Sequence, residues 1–262
     1  MTYAPIVLFV YKRPEETKKV IDALSANEGA AESCLIVYAD GPKNESERAK
    51  CEEVRNIVRS TSGFASVTLH ESEKNNGLAN SVIRGVSETV EKFGKVIVLE
   101  DDLVTSRYFL RFMNEALEKY ENDDRVCCIH AFSYPTKHPE IQTFLHRGAD
   151  CWGWATWKKG WDLFEKDPQK LYDEIIARKL KKEFDRNNAF PYTKMLKDQA
   201  DGKIDSWAIR WYASAFLADK YMLQSNVMLI ENIGIGKKRN SLFFGKRKEN
   251  YFIGKSGHFQ YS

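Results

Sequence analysis

The sequence predicts an α/β fold, a doubly wound and mostly parallel sheet flanked by helices, followed by a less regular second half. Two observations carry this. Over the first hundred residues, β-branched and aromatic runs of strand length alternate with stretches whose apolar residues recur at helical spacing. The 262 residues are 43% hydrophobic and 29% charged, a globular composition with length enough for a buried core.

The elements follow in order. Ile6-Val7-Leu8-Phe9-Val10 reads as a buried parallel strand, and Pro14 stands where a helix over 15–25 begins. Leu35-Ile36-Val37-Tyr38 is a second strand, stopped by the turn formers of Ala39-Asp40-Gly41-Pro42. Ala49, Val54, Ile57 and Val58 mark an amphipathic helix over 46–60, and Val67-Thr68-Leu69-His70 a third strand. Asn75-Asn76-Gly77 opens a helix over 78–93 with Leu78, Val82, Val86 and Val90 on one side. A fourth strand over 95–99 ends in Glu100-Asp101-Asp102. Beyond it the sequence predicts a helix over 106–120, a strand over 126–129, an aromatic segment over 151–161, charged helices over 168–184 and a last helix over 206–219. No repeat or linker divides the chain, so one domain over 1–262 is expected, in two halves, 1–104 and 105–262. In such sheets ligands bind beyond the strand C-termini.

Charge and cysteines narrow the class. Lys plus Arg is 40 and Asp plus Glu 37, a net +3 that gives no reason to expect nucleic-acid binding. Cys34, Cys51, Cys127, Cys128 and Cys151 show no CxxC spacing, so neither a zinc knuckle nor a complete disulfide framework is suggested and a reducing cytoplasm fits. The apolar run 6–11 is too short for a signal core, and no stretch is long enough to cross a membrane. A cytoplasmic protein is expected, with any membrane contact peripheral. The 6 Trp and 12 Tyr offer flat surfaces for sugars or bases, or a well-packed core.

The strand 96–99 delivers three acids into one turn, where repulsion must be relieved by solvent or a cation. Mn²⁺ or Mg²⁺ takes oxygen ligands, and a nucleoside diphosphate can fill the remaining coordination sites. The alternative is that Asp101 or Asp102 caps the following helix. On these residues the chain resembles nucleotide-sugar glycosyltransferases of the GT-A fold, and Glu100-Asp101-Asp102-Leu103 is similar to the Glu-Asp-Asp-Leu of the inverting N-acetylglucosaminyltransferase I group and its bacterial relatives. The resemblance implies that Asp102 contacts the metal, with Asp101 beside it at the nucleotide sugar. It also implies that Arg13 lies near the nucleotide and that Asp40 reads a uracil edge. The same two residues would serve equally as a surface charge and a turn former. Asn75-Asn76-Gly77-Leu78-Ala79-Asn80 resembles a segment of family 2 glycosyltransferases in which a helix start faces the nucleotide sugar, implicating Asn76. Asn76 as an N-cap is the alternative, and Arg84 would reach either the pyrophosphate or solvent.

An inverting transfer needs a base for the acceptor hydroxyl. Asp205 in Lys203-Ile204-Asp205-Ser206-Trp207 resembles the Asp-Asp-Trp element carrying the family's base, with Ser206 in place of the second Asp. An N-cap role competes. The Trp/Gly-rich stretch from Arg147 to Trp157 resembles that of bacterial members, so Trp152 or Trp154 would floor a sugar, Trp207 would contact substrate, and Asp150 would be a rival base or hold donor-sugar hydroxyls. Glu231-Asn232-Ile233-Gly234 resembles a segment that usually continues to a His, replaced here by Lys237-Lys238-Arg239. These residues, with Lys246, Arg247 and Lys248, would cover a diphosphate, approach an anionic lipid surface or form a solvated tail.

The expected activity is metal-dependent inverting transfer from a nucleotide diphosphate sugar, UDP-linked, to a glycan or glycolipid acceptor, with bacterial surface polysaccharide synthesis as the setting the resemblance implies. Residues 1–104 would bind the nucleotide sugar and 105–262 the acceptor. A nucleotidyltransferase and a non-catalytic nucleotide- or carbohydrate-binding module are the rivals.

Overall fold

The computed structural model describes residues 2–134, 138 and 140–234. Its first half alternates β1 (Ile6–Val10), α1 (Pro14–Ser25), β2 (Cys34–Ala39), α2 (Arg48–Arg59), β3 (Ser66–Glu71), α3 (Leu78–Phe93) and β4 (Lys95–Glu100). The second half holds β5 (Leu103–Thr105), α4 (Phe109–Lys119), β6 (Val126–His130), β7 (Thr143–Arg147), β8 (Trp154–Trp157), α5 (Lys158–Trp161), α6 (Pro168–Ala177), α7 (Lys181–Phe184), α8 (Tyr192–Ala200), α9 (Trp207–Leu217), β9 (Tyr221–Ser225) and β10 (Ile230–Asn232).

Eight strands form one sheet in the order β3-β2-β1-β4-β8-β6-β9-β7, while β5 and β10 pair separately. Only β7 and β8 run against the other six, so the mixed α/β class with a mostly parallel sheet holds. The strand alternation sorts the core into two layers. Ile6, Leu8, Val10, Ile97 and Leu99 face α1, α2 and α4, whereas Val7, Phe9, Val96 and Val98 face α3 and α9. Each such fully buried aliphatic side chain contributes about 1.5–3 kcal/mol, which is why these runs are apolar throughout rather than alternating.

The chain builds β1, β2 and β3 outward, then returns to add β4 on the other side of β1. This reversal of strand order opens a crevice at the carboxyl ends of β1 and β4. Beside it β8 runs antiparallel to both β4 and β6, with Trp154 opposite Val98 and His130. Residues 148–153, which precede β8, therefore emerge next to the carboxyl ends of β4 and β6.

The second half departs from expectation in named places. The aromatic segment contains strand β8, and β7, β9, β10 and helix α8 were not anticipated. The charged helices expected over 168–184 are α6 and α7, separated at Lys179 with φ 57°. No helix among the described residues is long and apolar enough to cross a membrane. Lys237, Lys238, Arg239, Lys246, Arg247 and Lys248 lie outside the described residues.

Candidate functional site

The carboxyl ends of β1, β2 and β4 and the start of α3 enclose a cavity of about 280 Å³, lined among others by Tyr11, Arg13, Asn75, Gly77, Asp101 and Asp102. A second cavity of about 280 Å³ adjoins it through Tyr38, Asp40 and Ser81, and carries Asn76, Asn80 and Arg84. The free N–H groups of α3's first turn border the first of these cavities, a favourable place for an anion.

The acidic turn is short of positive charge. Burial, then Asp102 and Asp101, push the Glu100 carboxyl up to about 8. Burial also raises Asp101 to about 6 against the pull of Arg13. One cation answers all three acids: Arg13 Nη1 lies 3.2 Å from Asp101 Oδ1 and 3.0 Å from Asp102 Oδ2. Burial pulls the Arg13 guanidinium down, but the two aspartates outweigh it and raise it. The capping alternative fails, because β5 follows the turn and α4 starts only at Phe109 with Tyr108 as its N-cap. Above the turn, Ile233 N–H donates to the Asp102 carbonyl at 2.8 Å, and a Cβ on Gly234 would overlap the Asp102 carboxylate.

The acids suit a divalent ion in chemistry, being hard oxygen donors in a site that lacks positive charge. Among the described residues, however, no group of three His, Cys, Asp or Glu side chains has converged on a metal position. Mg²⁺-type sites need only one or two carboxylates when substrate phosphates supply the rest, so Asp102 with Asp101 fits that lesser demand.

Asp40 departs from its expected role. Its Oδ1 accepts from Gly41 N–H at 2.9 Å and Asn76 N–H at 2.8 Å, and its Oδ2 from Asn75 Nδ2 at 2.9 Å and Gly77 N–H at 3.0 Å. Four donors occupy the lone pairs a base edge would need, so Asp40 ties the 75–77 turn to β2 rather than reading uracil. Gly77, at φ 79°, makes the turn that an L-residue would strain to adopt. Asn76 is not an N-cap; that position is Gly77, and Asn76 Nδ2 donates to Ser72 Oγ at 3.0 Å. Arg84 pairs with Glu88 at 2.8 Å, at the side of the second cavity.

Asp205 is 63% exposed, with Arg210 at 3.7 Å. Its Oδ2 would lie 3.7 Å from a Cβ on Gly77, which sets it at the rim of the cavity that Gly77 lines. Ser206, not Asp205, caps α9, accepting from Ile209 N–H at 3.3 Å. The carboxylate is thus free of the competing structural duty.

The tryptophans sort differently from expectation. Trp154 is fully buried, with ring centroids 5.7, 5.5 and 5.7 Å from Trp161, Trp207 and Trp211. Trp207 is 3% exposed in the same stack. Their faces pack on one another, so neither Trp154 nor Trp207 offers a floor to a sugar. Trp152 is half-buried, edge-on to Phe132 at 4.8 Å. Asp150 Oδ2 accepts from Tyr134 O–H at 2.8 Å and its Oδ1 from Cys151 N–H at 2.8 Å.

Sequence reasoning missed Tyr11 and Glu47. Tyr11 O–H and Lys12 both bind the Glu47 carboxylate, which also accepts from Lys43 N–H at 3.1 Å, and the Lys12 bond leads in holding Glu47 down at about 2. The strand-end rule that singled out Arg13 applies equally to Tyr11, two residues earlier.

No protein-family model matches the chain, and no curated protein matches it in sequence. Three solved structures are similar to it in part. TarS 1–349 of S. aureus is 9% identical over 86% of this chain and 59% of its own, with a TM-score of 0.48. The Pyrobaculum calidifontis mannosyltransferase PcManGT, in complex with GDP-Man and Mn²⁺, is 11% identical over 83% of this chain and 74% of its own, with a TM-score of 0.44. A cytidylyltransferase of Leptospira borgpetersenii is 10% identical over 62% of this chain and 64% of its own, with a TM-score of 0.37. The chain therefore spans less than two thirds of the length of the first and last of these.

Proposed function

We propose that this chain is an inverting glycosyltransferase, moving a sugar from a nucleotide diphosphate donor to a glycan or glycolipid acceptor. The observation that supports it is the acidic turn, three carboxylates at the reversal of strand order with one arginine between them, on the wall of a nucleotide-sized cavity. Arg13 and the first turn of α3 hold the diphosphate, and Asp40 keeps that turn in place through its four bonds. The UDP preference loses the residue it rested on, so the base is left open.

Asp102, with Asp101, would hold Mn²⁺ or Mg²⁺, which offsets the charge building on the leaving diphosphate. Asp205 at the cavity rim accepts the proton of the attacking hydroxyl, and its exposure lets an acceptor reach it. The Asp205→Asn variant separates transfer from mere binding: donor binding is expected to persist while transfer falls about 10²–10⁴-fold. Unchanged transfer excludes Asp205 as base. The reading as a whole is tested by thermal shift with nucleotide sugars, with and without Mn²⁺. At least one should stabilise the protein more with the metal than without. A flat response to every pair overturns it.

A further inference from the structure

Among the described residues there are twelve arginines, and eleven have a carboxylate oxygen within 4 Å. Arg186, just beyond α7, has none. Its Nε is buried without a hydrogen-bond partner. The guanidinium rests instead on aromatic rings, 5.5 Å from the centroids of both Tyr192 and Tyr212. The Tyr212 O–H donates to the Phe184 carbonyl at 2.9 Å, so its oxygen can offer the guanidinium a neutral acceptor but no negative charge. Arg186 itself stands at φ 50°, in the left-handed region that costs an ordinary L-residue about 1–2 kcal/mol, while Asn187 and Asn188, which tolerate that region, follow at φ 56° and 67°. A half-buried cation on a strained residue, with no carboxylate oxygen within 4 Å where every other described arginine has one, fits a site whose closest negative charge arrives with a ligand.

Its neighbours connect it to the cleft. Arg186 is close enough to act on Asp150 and His146. Asp150 belongs to the segment 148–153, which emerges beside the carboxyl end of β4. Asp150 is not the missing partner: it lies beyond 4 Å, and its oxygens are held by Tyr134 O–H and Cys151 N–H.

We infer that Arg186, bracketed by Tyr192 and Tyr212, binds an oxyanion carried by the acceptor, so that the preferred acceptor is a saccharide bearing a carboxylate or a phosphate. The planar guanidinium matches either group with two parallel N–H donors, and the tyrosine rings shield the pair from water. The inference rests on the transferase reading for calling this ligand an acceptor, but the binding it asserts can be measured alone.

The test titrates the full chain, labelled with ¹⁵N, with methyl β-glucuronide, glucose 6-phosphate and methyl β-glucoside, following the Arg186 Nε–H resonance, which is identified by its loss in Arg186→Lys. At least one anionic sugar is expected to bind tenfold or more tightly than the neutral glucoside and to move that resonance. The relative strength of the two anionic arms tells carboxylate from phosphate. Arg186→Gln should abolish the preference, and Arg186→Lys should keep part of it. Equal binding of all three sugars, no binding of any, or a preference intact in Arg186→Gln overturns the inference. Should Arg186→Gln fail to fold, the wild-type preference and the Lys variant decide. Thermal shift with donor and Mn²⁺ on the same sample keeps the two readings apart: donor binding without anion preference sinks only this one.

Discussion

Asp40 and the acidic turn occupy matching places, the carboxyl ends of β2 and β4 on either side of β1, yet the protein treats them in opposite ways. Asp40 receives four N–H donors from its own loop and from the turn before α3. Glu100, Asp101 and Asp102 share one arginine, and two of them are pushed well above the ordinary carboxylate range. A saturated carboxylate is framework; an undersupplied one holds its capacity for something that comes from outside.

The contrast breaks most visibly at Asp102. Asp102→Ala should lower transfer by about 10⁴-fold, near 5.5 kcal/mol, while leaving metal-free stability unchanged or raised, because a like charge leaves a crowded turn. Steady-state assays beside thermal melts check both halves, and a large loss of stability would make Asp102 framework like Asp40. Glu100 gives the next effect. Its folded value of about 8 exceeds the 4.5 of the unfolded chain, so ionisation opposes folding. The wild type should therefore lose stability as pH climbs from 4.5 to 8, while Glu100→Gln should lose less, keeping only the smaller loss below pH 6 that Asp101, raised to about 6, brings. In metal-free buffer the variant should be on the order of 4 kcal/mol more stable at pH 9 and indistinguishable at pH 4. Denaturant melts across this range supply the comparison, and parallel curves would remove the charge shortage from the acidic turn.

Asp40→Ala should do the reverse of Asp102→Ala, costing about 3 kcal/mol of stability by leaving four donors unanswered, with loss of donor binding following from the loosened α3 start. Hydrogen exchange at Asn76 and Gly77 would report the loosening. Smallest is Gly234→Ala, whose methyl must displace the Asp102 carboxylate. A roughly tenfold weaker Mn²⁺ response, about 1.4 kcal/mol, with an unchanged melting temperature is expected, and an unchanged metal titration would show that the carboxylate moves freely.

The first half of the fold was legible because each strand is an apolar run closed by turn residues, as at Ala39-Asp40-Gly41-Pro42. Strand β8 was not, since Trp154-Ala155-Thr156-Trp157 is buried on both faces and shows no period of two. Likewise β9 carries Gln224 and Ser225, polar residues that are buried here and would read as loop. At the site, three acids closing an apolar strand announced themselves. The work of Asp40 did not, because its donors at 75–77 come from 35 or more residues away. Trp154 and Trp207 look like sugar platforms in a sequence and are core in the fold. Arg186 has no motif at all; it stands out only after the other described arginines have found their acids.

The seam strand β8 also bears on how the protein can be taken apart. Belonging to the later part of the chain, it covers the edge of β4, which belongs to the earlier part, and ties it to β6. A fragment cut after the acidic turn would expose that flank as an unpaired apolar ribbon prone to self-association, whereas the two fragments made together in one cell should recombine across β8. Split-reporter complementation built on that cut would then track how tightly the cleft at β1 and β4 is zipped to the half that carries Arg186.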